Sequence, residues 1–107
     1  MAERRSGPTE SDELRRLRRK IDALDRRIVG LLNERAELGR AVGREKAATG
    51  RRTIRDAERE REVLLRVTMA NTGLMPQADL IAVYRRLIAV ARSLEARDRG
   101  SHGDGTD

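Results

Sequence analysis

The chain has 107 residues and a net charge of +6, with 39% charged against 37% apolar residues, so it reads as one domain whose own core is thin. It has no cysteine, one histidine (His102) and one aromatic residue (Tyr84). That inventory excludes a disulfide framework, a thiolate metal site and a thiol nucleophile, and argues against Ser-His-Asp chemistry and base stacking. The positive balance points to an anionic partner, either a nucleic acid or a small polyanion; no metal or cofactor is expected.

Residues 1–10 read as a disordered lead without an apolar signal region, and no apolar run approaches the ~20 residues of a membrane span. A cytoplasmic protein is expected. From Ser11 to about Thr49 the pattern is that of one uninterrupted helix. Leu14, Leu17, Ile21, Leu24, Ile28, Leu31, Leu38 and Val42 recur at steps that build a heptad seam, and no proline intervenes. Ser11 is placed to cap it, with Asp12 and Glu13 in the first turn, and Thr49-Gly50 is a stop signal.

Arg35 interrupts this seam where an apolar residue is due, while Arg18 and Lys46 sit one residue beyond seam positions on one flank. A charge in an apolar seam is costly unless it is paired. Arg35 can satisfy that need by snorkelling or by pairing with Glu34 or Glu37, or it can be held for a ligand. Arg18 and Lys46 taken alone read first as solvated flank residues. About 38 helical residues span roughly 57 Å at 1.5 Å each. A compact monomer of this length has a radius of gyration of only about 13 Å, so the helix is expected to pack against a second chain. Gly39 and Gly43 lie inside the helix with no preceding strand and no Ser/Thr after the lysine, which rules out a phosphate loop; small residues four apart let another helix approach.

After the basic turn Thr49-Gly50-Arg51-Arg52, Thr53 is placed as an N-cap with Asp56 three residues on, opening a helix to about Asn71. Asp56, Arg59, Glu60 and Val63 share one side of it. Asp56 can be part of the cap and Arg59 and Glu60 a solvated face. Asn71-Thr72-Gly73 ends the helix, Pro76 suits a helix start, and a third helix is predicted from about Gln77 to Arg97. Its middle is apolar nearly all round, which predicts burial. Glu95 shares the side of Ile88 and Ala91 and is either a buried carboxyl or a frayed helix-end glutamate. Residues 98–107 read as a disordered tail, leaving residues 11–97 as an all-α, three-helix domain.

Three stretches in order carry a resemblance. Leu17-Arg18-Arg19-Lys20-Ile21-Asp22-Ala23-Leu24-Asp25, Leu31-Leu32-Asn33-Glu34-Arg35 and Val42-Gly43-Arg44-Glu45-Lys46 resemble the first helix of all-α (AroQ-type) chorismate mutases. Arg55-Asp56-Ala57-Glu58-Arg59-Glu60-Arg61 is similar to the run that opens the family's second helix. Tyr84-Arg85-Arg86-Leu87-Ile88 with Ala91-Arg92-Ser93-Leu94-Glu95 is similar to its third-helix signature. The match covers about residues 12–97.

The resemblance implies an intertwined homodimer whose two sites are lined by both long helices, acting on the dicarboxylate chorismate without a cofactor, nucleic acid or membrane. Spacing agrees with such sharing. Arg35 and Lys46 are about 16 Å apart along one face, whereas Arg18 is about 25 Å from Arg35 and must serve a common ligand from the partner chain. By resemblance, Arg18 and Arg35 clamp carboxylates, Lys46 reaches the ether oxygen and a carboxylate, and Glu60 with the backbone near Asp56 holds the ring hydroxyl. Arg59 orders the pocket, and Ile88, Ala91 and Glu95 face the substrate. The reaction is an intramolecular rearrangement to prephenate, which needs conformer selection and charge stabilisation rather than a nucleophile. Two positions depart from the common bacterial pattern: Ala91 stands where a serine often contacts substrate, and Glu95 where a glutamine usually donates to the ether oxygen. A carboxylate cannot donate. The loop before the second helix is also one residue longer.

Same-fold enzymes acting on 4-amino-4-deoxychorismate or on isochorismate are the nearest alternative. A basic helical binding module is the distant one, but it would spread cations over exposed faces instead of placing Arg35 in the seam.

Overall fold

A computed structural model describes residues 10–50 and 56–105, with side chains through Asp98. Its elements are α1 (Asp12–Ala48), α2 (Ala57–Ala70) and α3 (Gln77–Gly105), with no strand among the described residues. The all-α expectation holds. The chain divides into two compact units, residues 1–35 and 36–107, with the boundary inside α1.

In the first unit, Ser11 caps α1 as its sequence position predicts. Its Oγ accepts from the Leu14 N–H at 3.0 Å, and its carbonyl accepts from the Arg15 N–H at 3.1 Å. Asp12 and Glu13 then favour the positive end of the helix dipole. Glu13 also pairs with Arg16 at 2.9 Å, and the guanidinium holds its carboxyl below the usual range. The seam residues Leu14, Leu17, Ile21, Leu24, Ile28 and Leu31 are all exposed in the single chain, Leu31 to 57%.

The second unit contains the end of α1, α2 and α3. Thr49 N–H donates to the Glu45 carbonyl at 3.0 Å, and Gly50 follows at φ +84°. Only glycine takes that left-handed conformation without strain, so the helix stops where Thr49-Gly50 predicted. The start of α2 corrects the expected cap. Asp56 itself is the N-cap, with extended backbone and a carboxylate accepting from the Arg59 N–H at 3.0 Å. Thr53 lies outside the described residues, as does the expected lead through residue 9. Asp56 suits that role, since its carboxylate accepts from a helix N–H and brings a negative charge to the helix N-terminus.

α2 and α3 form an antiparallel hairpin. Asn71 closes α2 through its N–H to the Val67 and Thr68 carbonyls, and its side-chain amide donates to the Met75 carbonyl and Gln77 Oε1. Pro76 lends its carbonyl to the Leu80 N–H, which launches α3 at the expected place. α3 continues to Gly105, past the predicted end near Arg97. No proline follows Pro76, and Asp98 grips Arg40 of α1 through two contacts at 2.8 and 3.2 Å, so the turn at Arg97 is held helical. The Asp98 carboxylate in turn pushes the Arg40 guanidinium up.

Gly39 faces Ala91 and Gly43 faces Glu95, so the end of α1 and the second half of α3 run in the same direction at close range. This is the helix approach that the two glycines predicted. The core is small: Ile88, Gly43 and Glu95 are buried. The expected burial of α3 is not met in the single chain, where Val83 is 45% and Val90 36% exposed. Two short helical partners cannot cover a helix that is apolar on nearly every face.

Candidate active site

The deepest charged contact in the second unit joins α1 to α3. Lys46 Nζ lies 3.7 Å from Glu95 Oε2, with the two side chains 13% and 9% exposed. Gly43 makes this possible. It lies three residues before Lys46 on the same face, and its missing Cβ leaves the space in which the Glu95 arm rests. Removing one member of a buried pair leaves an uncompensated charge, at a cost of about 3–5 kcal/mol. The sequence reading places both residues in one site, and the fold brings them together.

A second pair joins α3 to α2. Arg92 Nη1 donates to Glu60 Oε2 at 2.6 Å, with side chains 32% and 17% exposed. Glu60 is among the residues singled out from sequence, whereas Arg92 is not. The available signal was its position three residues before Glu95, which puts both on one side of α3. The four side chains therefore run Lys46, Glu95, Arg92, Glu60 across three helices, with alternating sign.

Beside them lies an open cleft of about 460 Å³, lined by Val42, Lys46, Thr49, Asp56, Arg59 and Glu62 among others. That size suits a small ligand. Lys46 belongs to both the cleft and the buried pair; Glu60, Arg92 and Glu95 lie outside the cleft lining. Asp56 spends its carboxylate on the cap, while exposed Arg59 pairs with Glu62 at 3.2 Å. Ile88 is buried, and Ala91 turns its methyl toward Gly39. In the first unit, Arg18 is exposed and pairs with Glu10, and Arg35 is half-buried. Among the described residues, no group of acidic or histidine side chains is placed to hold a metal ion. What the second unit offers is a lysine ammonium at a cleft, backed by a carboxyl group, with a salt-bridged carboxylate on the neighbouring helix.

The chain matches the family model described as chorismate mutase type II over residues 17–96. It is 38% identical over 90 residues to a bifunctional chorismate mutase/prephenate dehydratase of Aquifex aeolicus, covering 80% of this chain and 25% of that one. It is 32% identical over 91 residues to a protein of the same description from Stutzerimonas stutzeri, covering 81% and 25%. The chain thus spans about a quarter of the length of these curated relatives. A solved chorismate mutase (form II) of Thermus thermophilus superposes with a TM-score of 0.75 at 29% identity, covering 80% of this chain and 97% of that one. Sequence match, helix order and backbone agree: this chain belongs to the chorismate mutase type II family, which isomerises chorismate to prephenate.

Proposed function

We propose that this chain isomerises chorismate to prephenate as a homodimer, each site drawing residues from both copies. The observation that carries the reading is the Lys46–Glu95 pair, nearly buried against Gly43 at the α1–α3 contact. Family resemblance assigns those two positions to the ether oxygen of the substrate. The reaction moves electrons within one molecule, so the protein's task is to hold a compact conformer and to stabilise charge growing on that oxygen. An ammonium kept out of bulk water does the second task better than a solvated one, because its field is less screened.

The remaining roles follow from the same resemblance. Arg35 and the partner copy's Arg18 clamp the two carboxylates, and bidentate guanidinium contacts suit that geometry. Glu60 accepts a hydrogen bond from the ring hydroxyl, Asp56 fixes the start of α2 beside it, and Arg59 borders the cleft. Ile88 and Ala91 supply the apolar wall. Glu95 is the departure from the common pattern. It donates a hydrogen bond to the ether oxygen only while it carries a proton.

Support for the dimer is the seam itself. Leu17, Ile21, Leu24, Ile28 and Leu31 form a continuous apolar stripe at 43–57% exposure, which a second α1 would cover. A soluble dicarboxylate substrate suits an enzyme of the cytoplasm. The test is direct: purified chain mixed with chorismate should consume it, followed by loss of its absorbance, and prephenate should be the product. Absence of turnover by a folded dimer, or a product other than prephenate, would overturn the reading.

A further inference from the structure

Glu60 is already engaged by a cation of this chain before any substrate arrives. Arg92 reaches it from α3 at 2.6 Å, a short charge-assisted contact on a carboxylate that is only 17% exposed. We propose that Arg92 is a specificity-determining residue that makes the site accept a neutral hydroxyl and reject an ammonium at the same ring position. The inference rests on the proposed chorismate reaction, in which Glu60 holds the ring hydroxyl.

The physical argument is electrostatic. A lone carboxylate is a good counter-ion for an ammonium and a fair acceptor for a hydroxyl, so by itself it would favour an amine-bearing substrate. The guanidinium at 2.6 Å cancels most of its charge while leaving acceptor capacity, since a carboxylate has about four lone-pair sites. A hydroxyl donor still gains a hydrogen bond there. An ammonium gains little, because the same guanidinium repels it, and like charges placed together are a common basis for rejecting a wrong ligand. The other cations nearby do not favour an ammonium either: Arg59 is paired with Glu62, and Lys46, beside Glu95, adds to the repulsion whenever that carboxyl group carries a proton.

A purely structural bracket between α2 and α3 predicts something different. Its loss would lower the folded fraction and depress turnover of both substrates in the same proportion. The discriminating quantity is therefore the ratio of kcat/KM for chorismate to that for its 4-amino-4-deoxy analogue, at a pH where the amine is protonated. In the wild type this ratio should strongly favour chorismate. Arg92→Gln, which keeps a donor but removes the charge, should lower it by about tenfold or more, equivalent to about 1.4 kcal/mol. Arg92→Lys keeps the charge and should keep the ratio. If Arg92→Gln does not fold, the wild type still decides: the analogue should compete poorly against chorismate, and equal use of both substrates overturns the inference. A folded Arg92→Gln with an unchanged ratio also overturns it while leaving the chorismate reaction intact. A wild type that turns over no chorismate removes the proposed function, and this inference with it.

Discussion

Gly43→Ala should switch off the site while leaving the fold in place. A Cβ built on Gly43 stands 2.8 Å from Glu95 Cγ and 3.2 Å from Cδ. Ordinary contact begins near 3.4 Å, so Cγ must withdraw by about 0.6 Å or α3 must shift by a similar amount. Overpacking of this kind costs about 1–3 kcal/mol, against which alanine gains about 1 kcal/mol of helix propensity over glycine. The net loss is then about 0–2 kcal/mol, small against the roughly 5–15 kcal/mol typical of a folded protein. The catalytic effect is larger, because the carboxyl group displaced is the one 3.7 Å from Lys46, and misplacement by an ångström can cost about 100-fold. The internal control is Gly39→Ala. Its Cβ would meet the Ala91 methyl at 3.7 Å, an ordinary contact, so activity should hold and stability should stay level or rise. Thermal melts and kcat with chorismate for both variants are the assay. If Gly43→Ala keeps wild-type kcat, Glu95 is not held in a working position by that glycine, and the reasoning fails.

The other expected outcomes are as follows. Arg35→Ala should lose activity far more than stability; a variant that melts much lower, with a loss of about 3–5 kcal/mol, yet keeps its rate per folded molecule would make Arg35 a structural ion-pair member instead. Asp56→Ala removes the acceptor of the Arg59 N–H and should cost about 1 kcal/mol in denaturant unfolding, with an unchanged stability ruling out the capping role. Glu95→Gln exchanges the carboxyl group beside Lys46 for an amide whose N–H donates to the ether oxygen, so kcat/KM for chorismate at neutral pH should hold or rise; loss of most of the activity in a folded variant would show that donation at this position is not what the reaction needs.

Much of this fold is written in local sequence. Ser11, the heptad seam and Thr49-Gly50 set the limits of α1, because caps, apolar period and left-handed glycine all act over a few residues. Gly39 and Gly43 announced a close helix contact, and that contact is with α3. Where reading failed, a competing choice or a long-range partner decided. Thr53 and Asp56 are both chemically able to cap α2, and sequence does not rank them when the register of the preceding loop is open. Where α3 was expected to end, Asp98 instead meets Arg40, 58 residues away, and no local signal carries that pairing. The partnership of Arg92 with Glu60 has the same character. An arginine among the polar residues of a helix looks like solvated surface until the antiparallel packing of α2 on α3 brings the glutamate to it. The all-round apolar middle of α3 was legible as a demand for burial, but one chain does not meet that demand.

The sharing of each site between two chains is tested most directly by mixing two dead variants. Arg18→Ala and Lys46→Ala should each be inactive alone. In a re-equilibrated equimolar mixture about half the dimers are hybrids, and each hybrid has one site lacking both residues and one intact site. About a quarter of wild-type activity should therefore return. A mixture that stays inactive while hybrid dimers demonstrably form would contradict the shared site.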